Sequence, residues 1–399
     1  MTGIEIQAGV PAVDDVERLI RCSGRVIGCI APDIEPGVDV ASWLNVSRFA
    51  EASGDDNPLY TDPQYGAGSA HHTMLAPPTF VLAIRAPGSA GVADLMAHRL
   101  TRDLTSMRLT WDDTIRLGDT LSGRVCVADV TRRYTQTGRL RARVVSTVDY
   151  HRNGASFASG LAEVELAPLD EQTPFSQCRA IHRYEPADVQ RLVRELEAEP
   201  SCRGAVPRYW SDVALGDTTA VTLKGPLTLS DIEVWVFAEG RPVRAGNIEY
   251  ARLAARDGRR APHPLTGWPV WDRADASLDS AATAPAGPAA PGGLLVTLAG
   301  QHVTHWMGDD GFLRQLTVRL HRSFRYGDVL RLAGTVVDRD IRTDEAENRY
   351  HAVTLRLAGT NQLGETVAEA DGVVFLPDRG KPVRLPVHGG LSCDTPLER

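Results

Sequence analysis

The feature that most constrains this chain is a strand-rich block that occurs twice. Residues 104–167 read LTSMRLTWDDTIRLGDTLSGRVCVADV, a polar turn, and LRARVVSTVDYHRNGASFASGLAEVELA. Residues 313–376 read LRQLTVRLHRSFRYGDVLRLAGTVVDRD, a polar turn, and YHAVTLRLAGTNQLGETVAEADGVVFL. Each copy has a Gly-Asp turn, Gly118-Asp119 and Gly327-Asp328, and a later second turn, Asn153-Gly154 and Gln362 to Gly364. Between the turns apolar and polar residues alternate, the pattern of half-buried antiparallel strands. Each block therefore predicts a β-meander with one apolar face to cover.

The cover is predicted from helical segments upstream of each block. They are VSRFAEASG at 46–54 with TFVLAIRA at 79–86, and GLLVTLAGQHVTHWM at 293–307. One sheet wrapped around one helix, made twice, is the simplest packing, an α+β chain of two domains. The 399 residues, 43% of them hydrophobic, suffice for two cores. The expected boundaries are 1–172 for the first domain, 173–205 for a linker, 206–380 for the second domain and 381–399 for a tail. Within the linker, EPADVQRLVRELEAE at 185–199 spaces Val189, Leu192, Val193 and Leu196 as an amphipathic helix. The Ala-, Pro- and Gly-rich run at 276–293 predicts a mobile loop.

A formal charge of -8 and the lack of a basic cluster argue against nucleic acid as a partner. No run reaches membrane-spanning length, and the start lacks the basic and apolar regions of a secretory signal, so a cytoplasmic protein without membrane contact is expected. The 6 cysteines are scattered without CxxC spacing. With no HExxH, acidic metal loop, GxGxxG or Walker pattern, neither a metal nor a cofactor is expected. A GxSxG elbow is absent as well, which argues against a serine hydrolase.

FAEASGDDNPLYTDPQYG at 49–66 and LAPPTF at 75–80 resemble the N-terminal half of MaoC-like acyl dehydratases, the hot-dog group that includes (R)-specific enoyl-thioester hydratases. RGAVPRYWSDVALGDT at 203–218, KGPLTLSDI at 224–232 and VTHWMGDDGFL at 303–313 resemble the C-terminal half of two-domain members. The resemblance implies a double hot-dog with its halves packed sheet to sheet as a pseudo-dimer. An acyl thioester on CoA or acyl carrier protein would enter between them, and a homodimer or a separate MaoC-like subunit is a further partner to consider.

The family's acid-base segment reads Ser-Gly-Asp, one residue, Asn-Pro-aliphatic-His. Here Ser53, Gly54, Asp55, Asn57, Pro58 and Leu59 match it, and Tyr60 stands at the histidine position. Tyrosine donates a proton but is a poor base at neutral pH. Asp55 is thus the expected acid-base group, with Tyr60 or the nearby His72 as second proton carrier and Asn57 orienting water or hydroxyl. An Asx turn beside Asn57-Pro58 is the competing structural reading for Asp55. The second half offers Arg241-Pro242-Val243-Arg244 after KGPLTLSDIEVWVFAEG, and no Asp and His pair. Pro291-Gly292-Gly293 stands where the family opens its central helix with His-Gly, so Gly292 and Gly293 are the candidate oxyanion donors. His302 and His305 read as packing residues, His71 and His72 as a solvated pair if not functional, and Asp309-Asp310-Gly311 as a helix terminus with Gly311 in the left-handed turn.

Three functions follow as expectations. One is a hydratase or dehydratase of a 2-enoyl or 3-hydroxyacyl thioester. Another is a degenerate half-enzyme that binds acyl thioesters or complements a catalytic subunit. The last is a tailoring, isomerising or cyclising enzyme on the same fold.

Overall fold

Both repeated blocks form four-stranded antiparallel meanders in the computed structural model, which describes residues 13–30, 37–87, 100–168, 171, 173–175, 179–240 and 287–393. The first comprises β1 (Leu100–Trp111), β2 (Leu121–Tyr134), β3 (Leu140–Arg152) and β4 (Ala155–Pro168). After a short β5 (Thr222–Lys224), the second comprises β6 (Phe312–Leu320), β7 (Leu330–Thr343), β8 (Arg349–Asn361) and β9 (Thr366–Leu376). A final β10 (Ser392–Cys393) pairs with β7.

The two copies agree in detail. Register shifts fall at Leu104/Ser106 and Leu313/Gln315, and again at Val127/Asp129 and Val336/Asp338, matching positions of the two blocks. The turn motifs are physically linked in both. Asp119 accepts the Arg116 N–H at 2.7 Å and the Asn153 amide at 2.7 Å. Asp328, fully buried, accepts the Arg325 N–H at 3.0 Å and the Gln362 amide at 2.7 Å. Each Gly-Asp turn is thereby tied to the second turn of its own meander.

The halves join edge to edge. β1 pairs antiparallel with β6, Ser106 opposite Arg319 through Thr110 opposite Gln315, giving one sheet of order β10-β7-β8-β9-β6-β1-β4-β3-β2. This corrects the expectation of sheet-to-sheet packing. Both edge strands satisfy their backbone groups on each other, which leaves no exposed edge at the junction. Arg314 reinforces it through a charge pair with Asp112.

Helices cover the apolar face. α1 (Val13–Ser23) packs on β2, β3 and β4. α2 (Trp43–Ala52) leads to two short turns, α3 (Pro58–Thr61) and α4 (Pro63–Gly68), and then to a 3-10 turn at Pro78–Phe80 that runs into α5 (Val81–Ile84). α6 (Pro186–Glu197) lies in the connection, and α7 (Leu229–Ala238) repeats α2 in the second half. α8 (Gly292–Met307) is the second central helix, buried at every position from Gly293 to Met307 except His305. Phe49 of α2 meets Trp235 of α7 at 5.2 Å between ring centroids and Phe80 edge-on at 5.3 Å, so the covering helices of the two halves share one core.

α6 departs from its amphipathic reading, because only Leu192 is buried while Val189, Val193 and Leu196 are exposed. The run expected to be a mobile loop lies mostly outside the described residues; its last part, Gly292 and Gly293, belongs to α8. Asp328 also holds Arg179 at 2.6 Å. Asp328→Ala should therefore cost about 2 to 3 kcal/mol of stability in urea denaturation, by orphaning two buried donors and a partly buried guanidinium. Asp119→Ala should cost less.

Candidate active site

The segment that resembles an acid-base motif is folded by its own side chains. Ser42 caps α2 through the Asn45 N–H at 3.2 Å, and Gly54, at φ +61°, turns the chain out of that helix. Asp55 Oδ1 then accepts the Asn57 N–H at 3.1 Å, an Asx turn. Asn57 Oδ1 caps α3 through the Leu59 N–H at 2.9 Å, and Asp62 caps α4 through the Gln64 N–H at 2.8 Å. Both short helices open on proline, whose missing N–H costs nothing there.

The last turns of α8 close over this segment from the other half. His305 Nε2 lies 2.8 Å from Asp55 Oδ1, with Asp55 2% exposed and His305 17% exposed at the side chain. Gln301 donates to Gly54 O at 2.8 Å, and Thr304, whose hydroxyl donates to Gln301 O at 3.0 Å, stands beside Tyr60. Lys224 Nζ donates to Gly54 O at 3.2 Å. One face of one helix thus grips residues 53 to 60 through hydrogen bonds and builds an Asp and His pair across the halves.

Asp309 fastens the end of α8. Its carboxylate accepts the Asn57 amide at 3.2 Å and the Tyr65 hydroxyl at 2.6 Å, while its carbonyl accepts His71 Nε2 at 2.9 Å. Gly308, at φ +77°, takes the left-handed position that the sequence suggested for Gly311. Burial and then the carboxylates of Asp55 and Asp309 hold the Tyr60 phenol well above its ordinary pKa. Burial with Asp56, Asp55 and Asp309 pushes the Cys202 thiol up to about 11. Burial draws the Lys224 ammonium down, against the pull of Glu199, Asp55 and Asp56.

The expected site residues fare differently. Asp55 and Tyr60 come together, with Tyr60 held as the neutral phenol. Asn57 spends every polar side-chain atom inside the protein, so it positions Asp55 and the insert where the sequence suggested substrate contact. His72 is exposed in a turn at φ +56°, and the histidine beside Asp55 is His305 instead. Gly292 and Gly293 lie thirteen and twelve residues before His305 on α8, about 18 to 20 Å along the axis, too far to serve the same reacting atoms. A Cβ on Gly292 would meet Leu104 and Leu320 at 2.9 Å, and one on Gly293 would meet Glu239 Oε1 at 2.8 Å. His302 packs, as expected, with Nε2 at 2.7 Å from the Thr219 hydroxyl and Nδ1 at 2.8 Å from that of Thr222. His305 departs from that reading: a helix carries residues three apart about 60° around its axis, enough to send one inward and the other across the interface. Only the match at Asp55 could have pointed to it, since its partner lies on a different domain.

A half-open cavity of about 30 Å³ adjoins Tyr60. Leu59, Leu75, Trp111, Met307 and Phe312 form its apolar walls, with His71 and Asp309 at a polar side. Its lining is mostly apolar, and as it stands it has room for about one water molecule. Asp55, Asp56 and His305 also bring one ligand atom each within 4.8 Å of one another, a donor set for a metal that no spacing motif in the sequence encodes.

The fold is that of a double hot-dog, two meanders joined in one sheet with their helices on its apolar face. Residues 33–159 match the family described as FAS1-like, dehydratase domain region. In sequence, 39 residues are 51% identical to a UPF0336 protein of Streptomyces avermitilis, covering 10% of this chain and 26% of that protein. A UPF0336 protein of Thermobifida fusca is 28% identical over 90 residues, 22% of this chain and 59% of that protein. The chain thus spans less than two thirds of the curated relatives it matches. Among solved structures, a MaoC-like dehydratase superposes with a TM-score of 0.60 at 16% identity, over 88% of this chain and 98% of that one. A protein from Chloroflexus aurantiacus assigned as a MaoC domain dehydratase gives 0.50 at 11% identity, over 89% and 97%. The resemblance to a MaoC-like dehydratase holds for the fold over 88% of the chain, and residues 33–159 match the dehydratase domain region.

Burial and the neighbouring His305 and Lys224 lower the His302 pKa to about 4. Between the unfolded value near 6.5 and that folded value, the unfolded chain binds a proton that the native one refuses. The His302 contribution is thus complete above pH 6.5 and is lost as pH falls towards 4, an effect on the order of 3 kcal/mol. His302→Gln should flatten the decline of the unfolding midpoint between pH 6.5 and pH 4.

Proposed function

We propose that this chain adds water to 2-enoyl thioesters, or removes it from 3-hydroxyacyl thioesters, with Asp55 and His305 as the acid-base pair. The observation that carries this reading is the 2.8 Å contact between His305 Nε2 and Oδ1 of the buried Asp55. Hydration puts a water oxygen on C3 and a proton on C2, with no change of oxidation state. A pair that shares one proton meets that need, because one member takes the proton from water while the other delivers one to carbon. Asn57 holds Asp55 in place through its backbone N–H. Tyr60, kept protonated, is a donor for the thioester oxygen as negative charge develops there. The thioester arm would approach from the side of the half-open cavity beside Tyr60, with CoA or an acyl carrier protein outside.

The same observation favours an active enzyme over a half-enzyme that only complements another subunit. Placing the histidine on α8 restores the function that Tyr60 would otherwise have removed from the segment. Purified protein alone, given crotonyl-CoA and longer enoyl-CoA esters, should show loss of the enoyl absorbance. Asp55→Asn and His305→Ala should each lower kcat/KM about 10²- to 10⁴-fold, and His72→Ala should leave it unchanged. Turnover in His305→Ala equal to that of the unaltered protein would sink the proposal.

A further inference from the structure

The stretch that follows α6 folds back onto the end of α8. Arg203 donates its backbone N–H to His305 O at 3.2 Å, and Gly204 O accepts the Asp309 N–H at 2.9 Å. Arg208 Nε donates to Trp306 O at 2.7 Å, and its guanidinium carbon lies 4.4 Å from the centre of the Trp306 ring. These bonds satisfy carbonyls that a helix leaves open at its C-terminus. They also set two guanidiniums beside the proposed acid-base pair. Cys202, the residue before Arg203, is near enough to Asp55 and Asp56 for their charges to act on its thiol. The Arg203 side chain crosses Gly308, which stands between Met307 and Asp309 of the cavity wall.

Capping accounts for the bonds but not for the charges. Elsewhere in the chain arginines meet acids, Arg141 with Glu165 and Glu171, Arg152 with Asp113, and Arg179 with Asp328. Among the described residues Arg203 and Arg208 bond no carboxylate; their side-chain hydrogen bonds go to the carbonyls of Val206, Pro207 and Trp306. Burial, and next the charge of Arg203, draw the Arg208 pKa down to about 10, so the two cations repel each other. Asp217 offsets this only at longer range, and the Asp309 carboxylate is engaged by Asn57 and Tyr65. A helix end needs donors for its carbonyls, not a second cation beside the first. Both guanidiniums are partly exposed and keep most of their N–H groups for an acceptor from outside. A phosphate relieves the repulsion and accepts from both forks at once.

We propose that Arg203 and Arg208 form an anion subsite for the phosphate of the substrate's pantetheine arm, the group that CoA and an acyl carrier protein have in common. The inference rests on the thioester reading of the Asp55 and His305 site. Because the subsite is fastened to the last turn of the helix that carries His305, one element holds both the arm and the acid-base pair. A thioester that lacks the phosphate loses the charge contact and, with it, part of its alignment.

Binding of saturated, unreactive esters tests this without requiring turnover. Butyryl-pantetheine, butyryl-phosphopantetheine and butyryl-CoA would be titrated calorimetrically into the unaltered protein, Arg203→Gln and Arg208→Gln. The unaltered protein should bind butyryl-phosphopantetheine about tenfold more tightly than butyryl-pantetheine, the effect of a charge-assisted contact. That preference should shrink as salt is raised. Each variant should lose most of it while binding butyryl-pantetheine as well as before. Arg203→Gln keeps the backbone bond to His305 O, so its thermal midpoint should not fall even if that of Arg208→Gln does. Equal affinity of butyryl-CoA and butyryl-phosphopantetheine supports a subsite that reads the arm alone, as a carrier protein presents it; tighter binding of butyryl-CoA supports CoA as the carrier. Equal affinity with and without the phosphate in the unaltered protein overturns the proposal, as does a preference that survives in both variants. If the preference is found but no enoyl thioester is hydrated, the subsite stands and the hydratase reading alone fails.

Discussion

The structure depends on the burial of α8. A helix apolar on nearly every side needs neighbours all round, and no single meander supplies them. The second sheet takes one flank, with Val303 against Gly372 and His302 bonded to the threonines before and at β5. The first half takes another, where Thr79 stands close to Gly300 and residues 54 to 60 meet Gln301, Thr304 and His305. The pairing of β1 with β6 holds the halves so that both flanks are covered at once. Joining the domains and assembling the site are thus one packing event.

This explains why electrostatics concentrate at one end of the helix. Asp55, Asp56 and Asp309 gather round the end of α8, where the helix dipole is unfavourable to negative charge. The structure offsets that with hydrogen bonds from Asn57, Tyr65 and the Asp55 turn, and with the nearby Lys224. The Tyr60 and Cys202 shifts both register the same crowd of carboxylates. A histidine at this point faces acids from every side, whereas His302, one turn earlier, faces threonine hydroxyls and stays neutral.

The repeat, the meanders, the turns and the central helices were legible in the sequence because each rests on local period and turn chemistry. Asp119 with Asn153 and Asp328 with Gln362 show this well, since the motifs that marked the turns are also the groups that bond them together. Asp55 was legible through its motif. His305 was not, because residues 250 apart in sequence meet only after the sheets have joined, and its spacing from His302 looks like ordinary packing. Gly292 and Gly293 misled for the complementary reason. Their local pattern fits an anion-binding helix start, but only the length of α8 reveals how far that start lies from the carboxylate.

The duplicated fold keeps one site through a division of labour. α2 and α7 are matched by their caps, Ser42 and Thr228, and by the glycines that follow them, Gly54 and Gly240, both at positive φ. After Gly54 comes Asp55; after Gly240 comes Arg241, so the acid occurs in the first half alone. The helices are unequal in the opposite sense. α5 ends at Ile84, shortly before Pro87, while α8 continues unbroken to Met307 and carries His305 past the end of the core. A loop with an acid but no base and a helix with a base but no acid complete each other only in one orientation.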